Sequence, residues 1–137
     1  ALPAVTRALA LEVQRAGAAV QLTLAQFSSL RLLARRDCSV TELAQTLNVT
    51  LPTATRIVDA LVNKGLAERF SSRLDRRHVL LRITSDGRQV ENHCRLKVES
   101  YLADLLDSWP QERQRELAQA LEEMLAASKV ARDLQRV

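Results

Sequence analysis

Aromatic residues are scarce in this chain, and their scarcity narrows the ligands that it can bind. Four of the 137 residues are aromatic: Phe27, Phe70, Tyr101 and Trp109. Proteins that recognise single-stranded RNA stack its bases on exposed aromatic rings, so the sequence disfavours that class. An aromatic-lined pocket for a small molecule is not apparent either.

Cysteine, histidine and glycine are also few. Cys38 and Cys94 lie far apart, and neither they nor His78 and His93 have the clustered spacing of metal ligands. The sequence shows no grouping of Ser, His and Asp or of Cys and His, and no glycine-rich phosphate loop. We therefore expect no metal, no cofactor and no enzymatic activity.

Long apolar runs are missing as well. No stretch approaches the ~20 residues that cross a bilayer, and the first residues lack the order of a secretory signal. These absences predict a cytoplasmic protein with no membrane partner. The length of 137 residues suits a single domain with its own core.

Charge is abundant but unevenly spread. The net charge is +4, and residues 69–82 contain five arginines against one acid, Asp75, whereas residues 104–123 contain six acids against two arginines. An arginine-rich segment in an otherwise balanced chain favours a surface that meets phosphates. By itself, such a segment is also typical of an ordinary solvated face.

Apolar spacing and capping residues predict two helices at the start of the chain. Thr23 and Gln26 form a capping box for the second helix, which ends around residues 35–37, and the first helix ends near Gln21. The first helix is indicated by apolar residues at three- and four-residue intervals: Val5, Leu9, Val13, Ala16 and Val20. The apolar stripe of the second helix is Leu24, Phe27, Leu30 and Leu33.

The next two predicted helices are separated by a short turn. A second capping box, formed by Ser39 and Glu42, begins the third helix, and Thr50 caps the fourth. Gly65 suits the left-handed end of the fourth helix. Two helices with this spacing predict a helix-turn-helix over residues 39–64.

After the fourth helix the apolar period changes from helical to alternating. Residues 66–71 and 78–83 predict two strands, which the polar and basic residues 72–77 join into a hairpin. Thr84 then caps a fifth helix, and Pro110 starts a sixth. The elements near both termini are more apolar than one small core needs, which indicates an oligomer interface.

The fourth helix carries residue types suited to reading DNA. The second helix of a helix-turn-helix lies in the major groove, where arginine reads guanine and threonine or leucine contacts a thymine methyl group. Helix N-termini hold phosphates with backbone N–H groups. The candidate contacts are Ser39, Thr50, Leu51, Pro52, Thr53, Thr55 and Arg56, with base readout expected from Thr53, Thr55 and Arg56.

The hairpin adds a basic tip to this motif. Arg73, Arg76 and Arg77 can reach the adjacent minor groove, where narrow A·T-rich stretches attract arginine. We expect Asp75 to hold an arginine by a charge-assisted hydrogen bond. Helix-turn-helix geometry also occurs in bundles that never touch DNA, but a recognition helix followed by a basic wing favours double-stranded DNA.

A series of short motifs runs through residues 22–90: Leu22-Thr23 to Leu33, Glu42-Leu43-Ala44, Val58 to Leu61, Lys64-Gly65-Leu66, Asp75-Arg76-Arg77, Ile83-Thr84 and Gly87. In these motifs the chain resembles the MarR (multiple-antibiotic-resistance regulator) family of winged helix-turn-helix transcription regulators. The most diagnostic part is Asp-Arg-Arg, an alternating strand and then an Ile-Thr-x-x-Gly helix start.

The resemblance implies a mainly α fold in one domain spanning residues 1–137. Residues 22–88 would form the winged helix-turn-helix with its two-stranded wing, and residues 1–21 and 89–137 the dimerisation helices. It also implies a homodimer on a pseudo-palindromic operator, with Arg77 in the minor groove and Asp75 bracing the wing. Family members often bind a small-molecule effector in a cleft between the interface helices and the DNA-binding domain.

Cys38 is a possible redox site. It precedes the Ser39 cap, and Arg35 and Arg36 are near in sequence; a helix N-terminus and cations lower the pKa of a thiol. An incidental small residue in a loop is the alternative. Cys94 lies on an apolar stripe and is expected to be buried, and His93 is either a surface or interface residue or part of a ligand cleft.

The leading hypothesis is a repressor that is released from its operator by a small ligand or by oxidation. The alternative is an effector-independent architectural DNA-binding protein, which would show steep salt dependence and little sequence preference. A third class is a protein-interaction module, which would fail to bind duplex DNA at low salt.

Overall fold

Six α-helices and one β-hairpin make up the described part of the chain, in the predicted order. The computed structural model describes the backbone of residues 1–135 and the side chains of residues 1–128. The helices are α1 (Leu2–Ala16), α2 (Leu24–Arg35), α3 (Val40–Leu47), α4 (Leu51–Asn63), α5 (Ser85–Leu106) and α6 (Gln111–Gln135), and the strands are β1 (Ala67–Ser71) and β2 (Val79–Ile83). One compact unit spans Ala1–Tyr101, and a second begins at Leu102.

The first helix is shorter than its apolar spacing predicts. It ends at Ala16 rather than near Gln21, and a 3-10 turn, Ala18–Val20, follows it. Gln21 has a left-handed backbone with φ of 51°. Leu22 packs on Gly17 so closely that a Cβ at Gly17 would lie 2.5 Å from the Leu22 Cβ. This packing turns the chain before the apolar stripe is complete.

The two predicted capping boxes are confirmed. The Thr23 hydroxyl accepts from the Gln26 N–H at 3.1 Å, and the Gln26 side-chain oxygen accepts from the Thr23 N–H at 3.3 Å. Ser39 and Glu42 repeat the arrangement at 3.1 and 3.4 Å. Because each box satisfies two backbone donors locally, sequence alone is enough to place the starts of α2 and α3.

The predicted stripe of α2 contributes to the apolar core of the first unit, whereas Val5 of the predicted α1 stripe is 54% exposed. The core is built from α2, α3, α4, the hairpin and the first half of α5, with Val13 added from α1. Its fully buried side chains include Leu30, Leu33, Leu43, Leu61 and Leu81. Cys94 is buried as predicted.

The hairpin pairs its strands antiparallel, with Ala67 opposite Ile83 and Ser71 opposite Val79. Each strand begins one residue later than the alternation predicts. Cys38 lies on the free edge of β2, where its N–H donates to the Leu81 carbonyl at 3.2 Å and its carbonyl accepts from the Leu81 N–H at 2.8 Å. This bridge attaches the segment before α3 to the hairpin.

Thr84 and Gly87 join the fifth helix to the end of the fourth. The Thr84 hydroxyl donates to the Gly65 carbonyl at 2.6 Å and accepts from the Gly87 N–H at 3.0 Å, and the Thr84 N–H donates to the Leu66 carbonyl at 3.1 Å. A Cβ at Gly87 would overlap the Leu66 carbonyl oxygen. This close approach is the physical reason for glycine in the Ile-Thr-x-x-Gly pattern.

The second unit contains the end of α5 and the helix α6, which begins one residue after Pro110. The Gln114 amide donates to the carbonyls of Leu106 at 2.8 Å and Trp109 at 3.1 Å, which secures the turn between the helices. Arg113 lies over the Trp109 ring, 5.5 Å from its centroid. Among the described residues, no helix is long and apolar enough to span a membrane.

Candidate nucleic-acid interface

The turn between α3 and α4 is set by local hydrogen bonds. Asn48 ends α3 in the left-handed conformation with φ of 55°. Thr50 is the N-cap of α4, as predicted, because its hydroxyl accepts from the Thr53 N–H at 3.4 Å and donates to the Thr53 hydroxyl at 2.9 Å. These hydrogen bonds therefore fix the start of α4 and the orientation of its first turn.

One face of α4 is buried in the core, and the opposite face is exposed. Ala54, Val58 and Leu61 are buried in the core. The exposed face of the helix carries the predicted contact residues Leu51, Pro52, Thr53, Thr55 and Arg56. Within the described residues, Arg56 has no ion-pair partner, so its guanidinium is free to bind a ligand.

A groove of about 570 Å³ lies beside this exposed face. It brings Ser39 at the start of α3 together with Leu51 and Thr55 on α4. It also includes residues that were not among the predicted contacts: Val40, Thr41, His78 and Val79. Sequence spacing could not reveal these residues, because the bridge between Cys38 and Leu81 is what places the wing beside α3.

The wing loop, residues 72–78, is ordered by hydrogen bonds around Asp75. One Asp75 carboxylate oxygen accepts from the backbone N–H of Arg77 at 2.9 Å, and the Asp75 carbonyl accepts from the His78 N–H at 3.0 Å. Asp75 therefore fixes the backbone of a turn, and among the described residues its carboxylate forms no ion pair with an arginine, so the predicted hydrogen bond to a guanidinium is not seen there. The reason is that Arg76 and Arg77 lie in the turn, where an aspartate side chain bonds to the backbone two residues ahead.

Two of the five arginines in residues 69–82 form ion pairs with acidic side chains of the same chain. Arg69 forms an ion pair with Asp59, and Arg82 forms one with Glu68 at 3.1 Å. Arg82 also lies over the Phe70 ring, 3.7 Å from its centroid.

The other three arginines of residues 69–82 lie in the wing loop. Arg73, Arg76 and Arg77 are exposed and have no ion-pair partner in the part of the chain that the structure describes. The structure thus gathers the predicted residues into two clusters, one on the first turns of α3 and α4 and one on the wing.

Cys38 does not have the environment of a reactive thiol. Its side chain is only 1% exposed. Burial raises the pKa of the Cys38 thiol, and Glu42 and Asp37 raise it further, while Arg36 acts in the opposite direction. Arg36 is paired with Glu42 at 3.2 Å. The structure therefore contradicts the expectation of a lowered pKa at this cysteine.

A smaller pocket of about 230 Å³ lies between the end of α1 and the first half of α5. It is lined by Ala16, Gly17, Ala19, Val20, Gln89, Val90, His93 and Cys94. The lining residues include no Phe, Tyr or Trp. His93 is exposed at the surface and also lines this pocket, so both positions considered for it apply.

The sequence is similar to known regulators. The model of the MarR family matches residues 22–79. The HTH-type transcriptional regulator YpoP of Bacillus subtilis is 33% identical over 90 residues, which are 65% of this chain and 64% of the relative. The multiple antibiotic resistance protein MarR of Escherichia coli is 36% identical over 76 residues, 55% of this chain and 53% of the relative. The chain thus spans less than two thirds of the length of these relatives.

Solved structures share the fold over nearly the whole chain. A MarR transcriptional regulator from Methanosarcina mazei superposes with a TM-score of 0.84 at 21% identity, covering 95% of this chain and 94% of that one. The regulator BldR from Sulfolobus solfataricus has a TM-score of 0.75 at 28% identity, covering 92% and 90%. A mutant MarR from Escherichia coli, solved in complex with operator DNA, has a TM-score of 0.74 at 25% identity and covers 90% of both chains. On the family match, the curated relatives and these structures, residues 22–79 are similar to the MarR family, and the chain shares the fold of its solved members.

Proposed function

We propose that this protein is a transcription regulator that binds double-stranded DNA sequence-specifically. The observation that carries the proposal is the presence of exposed arginines on two elements that line one groove. Arg56 extends from α4, and Arg73, Arg76 and Arg77, which have no ion-pair partner among the described residues, extend from the wing. The groove itself is lined by Leu51 and Thr55 of α4 and by His78 and Val79 of the wing. An α-helix fits the major groove, and arginine fits the adjacent minor groove.

Each part of the surface has a separate chemical task in this proposal. Arg56 and the hydroxyls of Thr53 and Thr55 read base edges. The first turns of α3 and α4, capped by Ser39 and Thr50, hold phosphates with their free N–H groups. The operator complex of the Escherichia coli MarR mutant supports this assignment by similarity.

The assignment of Arg56 is tested by replacing it with alanine. We expect the Arg56→Ala variant to lose about 1–3 kcal/mol of binding free energy on a duplex that the wild-type protein selects from a random pool, and to tolerate more bases at one position of each half-site. Arg35→Ala is the matched control, because it removes one exposed positive charge from the end of α2, outside the proposed dimer interface. Equal weakening on every sequence would make Arg56 a phosphate contact instead. Failure of the wild type to enrich any sequence would favour an architectural protein.

We also propose that the protein acts as a homodimer on a pseudo-palindromic operator. Large apolar side chains near both termini are more than one third exposed: Leu2, Val5, Leu11, Leu102, Leu105, Leu121, Met124 and Leu125. A two-fold dimer would bury such surface and present two recognition helices to two half-sites. Light scattering at micromolar concentration should give twice the single-chain mass of 15.3 kDa; the mass of one chain would contradict the dimer.

Repression that a small ligand relieves stays a prediction. The pocket of about 230 Å³ beside His93 supports it, because it lies between the helix α1 and the first half of α5. Release of the selected duplex by a candidate ligand in the binding assay would test it. Release by oxidation of Cys38 is not supported, since that thiol is buried and its pKa is raised.

A further inference from the structure

Leu74 is an unusual residue for the tip of a basic hairpin. Its side chain is 99% exposed, whereas the other exposed large apolar side chains among the described residues range from 38% to 67%. Most of those lie on helices, and Leu51 and Val79 line the groove described above. Leu74 instead stands in a loop between Arg73 and the pair Arg76 and Arg77. No described residue of the chain covers it.

The wing loop holds Leu74 in this position. The Leu74 N–H donates to the Ser72 hydroxyl at 3.3 Å, and the Ser72 N–H donates to the His78 carbonyl at 2.9 Å. On the other side, Asp75 accepts from the backbone of Arg77 and His78. Because the loop is ordered by its own hydrogen bonds, the exposed leucine needs no partner to adopt its place at the tip.

We propose that Leu74 packs into the minor groove of the bound DNA, against deoxyribose carbons and base edges, beside the arginines of the wing. This inference rests on the proposed DNA-binding function. The three arginines bring the tip to the minor groove, where negative potential is strongest in narrow stretches. The walls of that groove are apolar sugar atoms, and apolar side chains enter minor grooves in other proteins. A fully exposed leucine has the most apolar area to bury there.

The test compares Leu74→Ser with the wild type on two duplexes. One is the duplex that the wild-type protein selects from a random pool, and the other is the same duplex shortened by the outer flank that the wings would reach. We expect Leu74→Ser to bind the full duplex about tenfold more weakly, a loss of 1.4 kcal/mol. On the shortened duplex, the two proteins should bind equally. Leu74→Met, which keeps an apolar side chain of similar length, should bind both duplexes as the wild type does.

Salt dependence separates an apolar contact from a lost phosphate contact. Leu74→Ser should leave the slope of log Kd against log salt unchanged, whereas Arg73→Ala should reduce it by about one. Leu74 is fully exposed, so its variants should keep the thermal midpoint of the wild type.

Three results would overturn the proposal. In the first, Leu74→Ser binds the full duplex within about twofold of the wild-type affinity. In the second, Leu74→Ser loses the same affinity on both duplexes. In the third, Leu74→Ser changes the slope of log Kd against log salt. Failure of the wild type to bind either duplex would instead overturn the proposed function, and this inference with it.

Discussion

Replacing Gly87 with alanine is expected to lower the free energy of unfolding by about 3 kcal/mol, at the upper end of the range for overpacked sites. The added methyl group would overlap the Leu66 carbonyl oxygen and lie 2.7 Å from a side-chain carbon of Ile83. Neither neighbour can move freely, because the Leu66 carbonyl accepts from the Thr84 N–H and Ile83 pairs with β1. The first turn of α5 must therefore shift away from the hairpin.

Gly65→Ala is the matched control for this substitution. Gly65 has a φ of +71°, but a Cβ added there would meet nothing within 4 Å. The control therefore measures only the left-handed penalty of about 1 kcal/mol. Both variants are to be unfolded in urea at one protein concentration, because the stability of a dimer depends on concentration. A loss at Gly87 no larger than that at Gly65 would show that the junction yields to the methyl group.

Arg77→Ala is expected to weaken DNA binding by about 1–3 kcal/mol, the same range as Arg56→Ala. Arg77 is one of the three wing arginines without an ion-pair partner among the described residues, and the role proposed for it is insertion into the minor groove. The loss should be greatest on duplexes with A·T-rich flanks, because narrow A·T-rich grooves attract arginine most strongly. A loss that does not depend on the flanks would contradict minor-groove insertion.

Substitutions of Asp75 distinguish the effect of wing geometry on DNA affinity from the effect of net charge. Asp75→Ala removes the acceptor for the Arg77 N–H, so we expect weaker binding by about 1 kcal/mol although the protein becomes more positive. Asp75→Asn keeps an acceptor oxygen at the same place and removes the same charge, and it should bind at least as tightly as the wild type. Simple Coulomb attraction predicts tighter binding for both variants. Titrations on one duplex at several salt concentrations distinguish the two outcomes.

The parts of the fold that the sequence predicted are those set by neighbouring residues. The starts of α2, α3 and α4 depend on side chains that bond three residues ahead, so Thr23, Ser39 and Thr50 were sufficient to place them. The core stripe of α4 follows from the helical period. The exposed face of α4 follows from the same period, which is why Arg56 and its neighbours could be chosen without a structure.

The parts that the sequence did not predict depend on contacts between distant segments. Gly17 and Leu22 end α1 by packing against each other, although the apolar spacing continues. The charge count of the wing overlooked Asp59 and Glu68, which pair with two of its five arginines from outside the segment. Arg35 and Arg36 suggested a cationic environment for the Cys38 thiol, but the pairing of Cys38 with β2 buries its side chain. The groove beside α4 is lined by residues of α3 and of the wing, two segments that this same bridge holds side by side.

The Thr84 hydroxyl has a mechanical consequence for how orientation passes through the protein. One oxygen atom bonds both to the Gly65 carbonyl, two residues beyond the end of α4, and to the first turn of α5. The Thr84 N–H bonds to Leu66, the residue before β1. The first turn of α5, the end of α4 and the base of the wing therefore meet at a single residue. Thr84 is thus the position at which a change in the orientation of α5 would act on the recognition helix and on the wing at once.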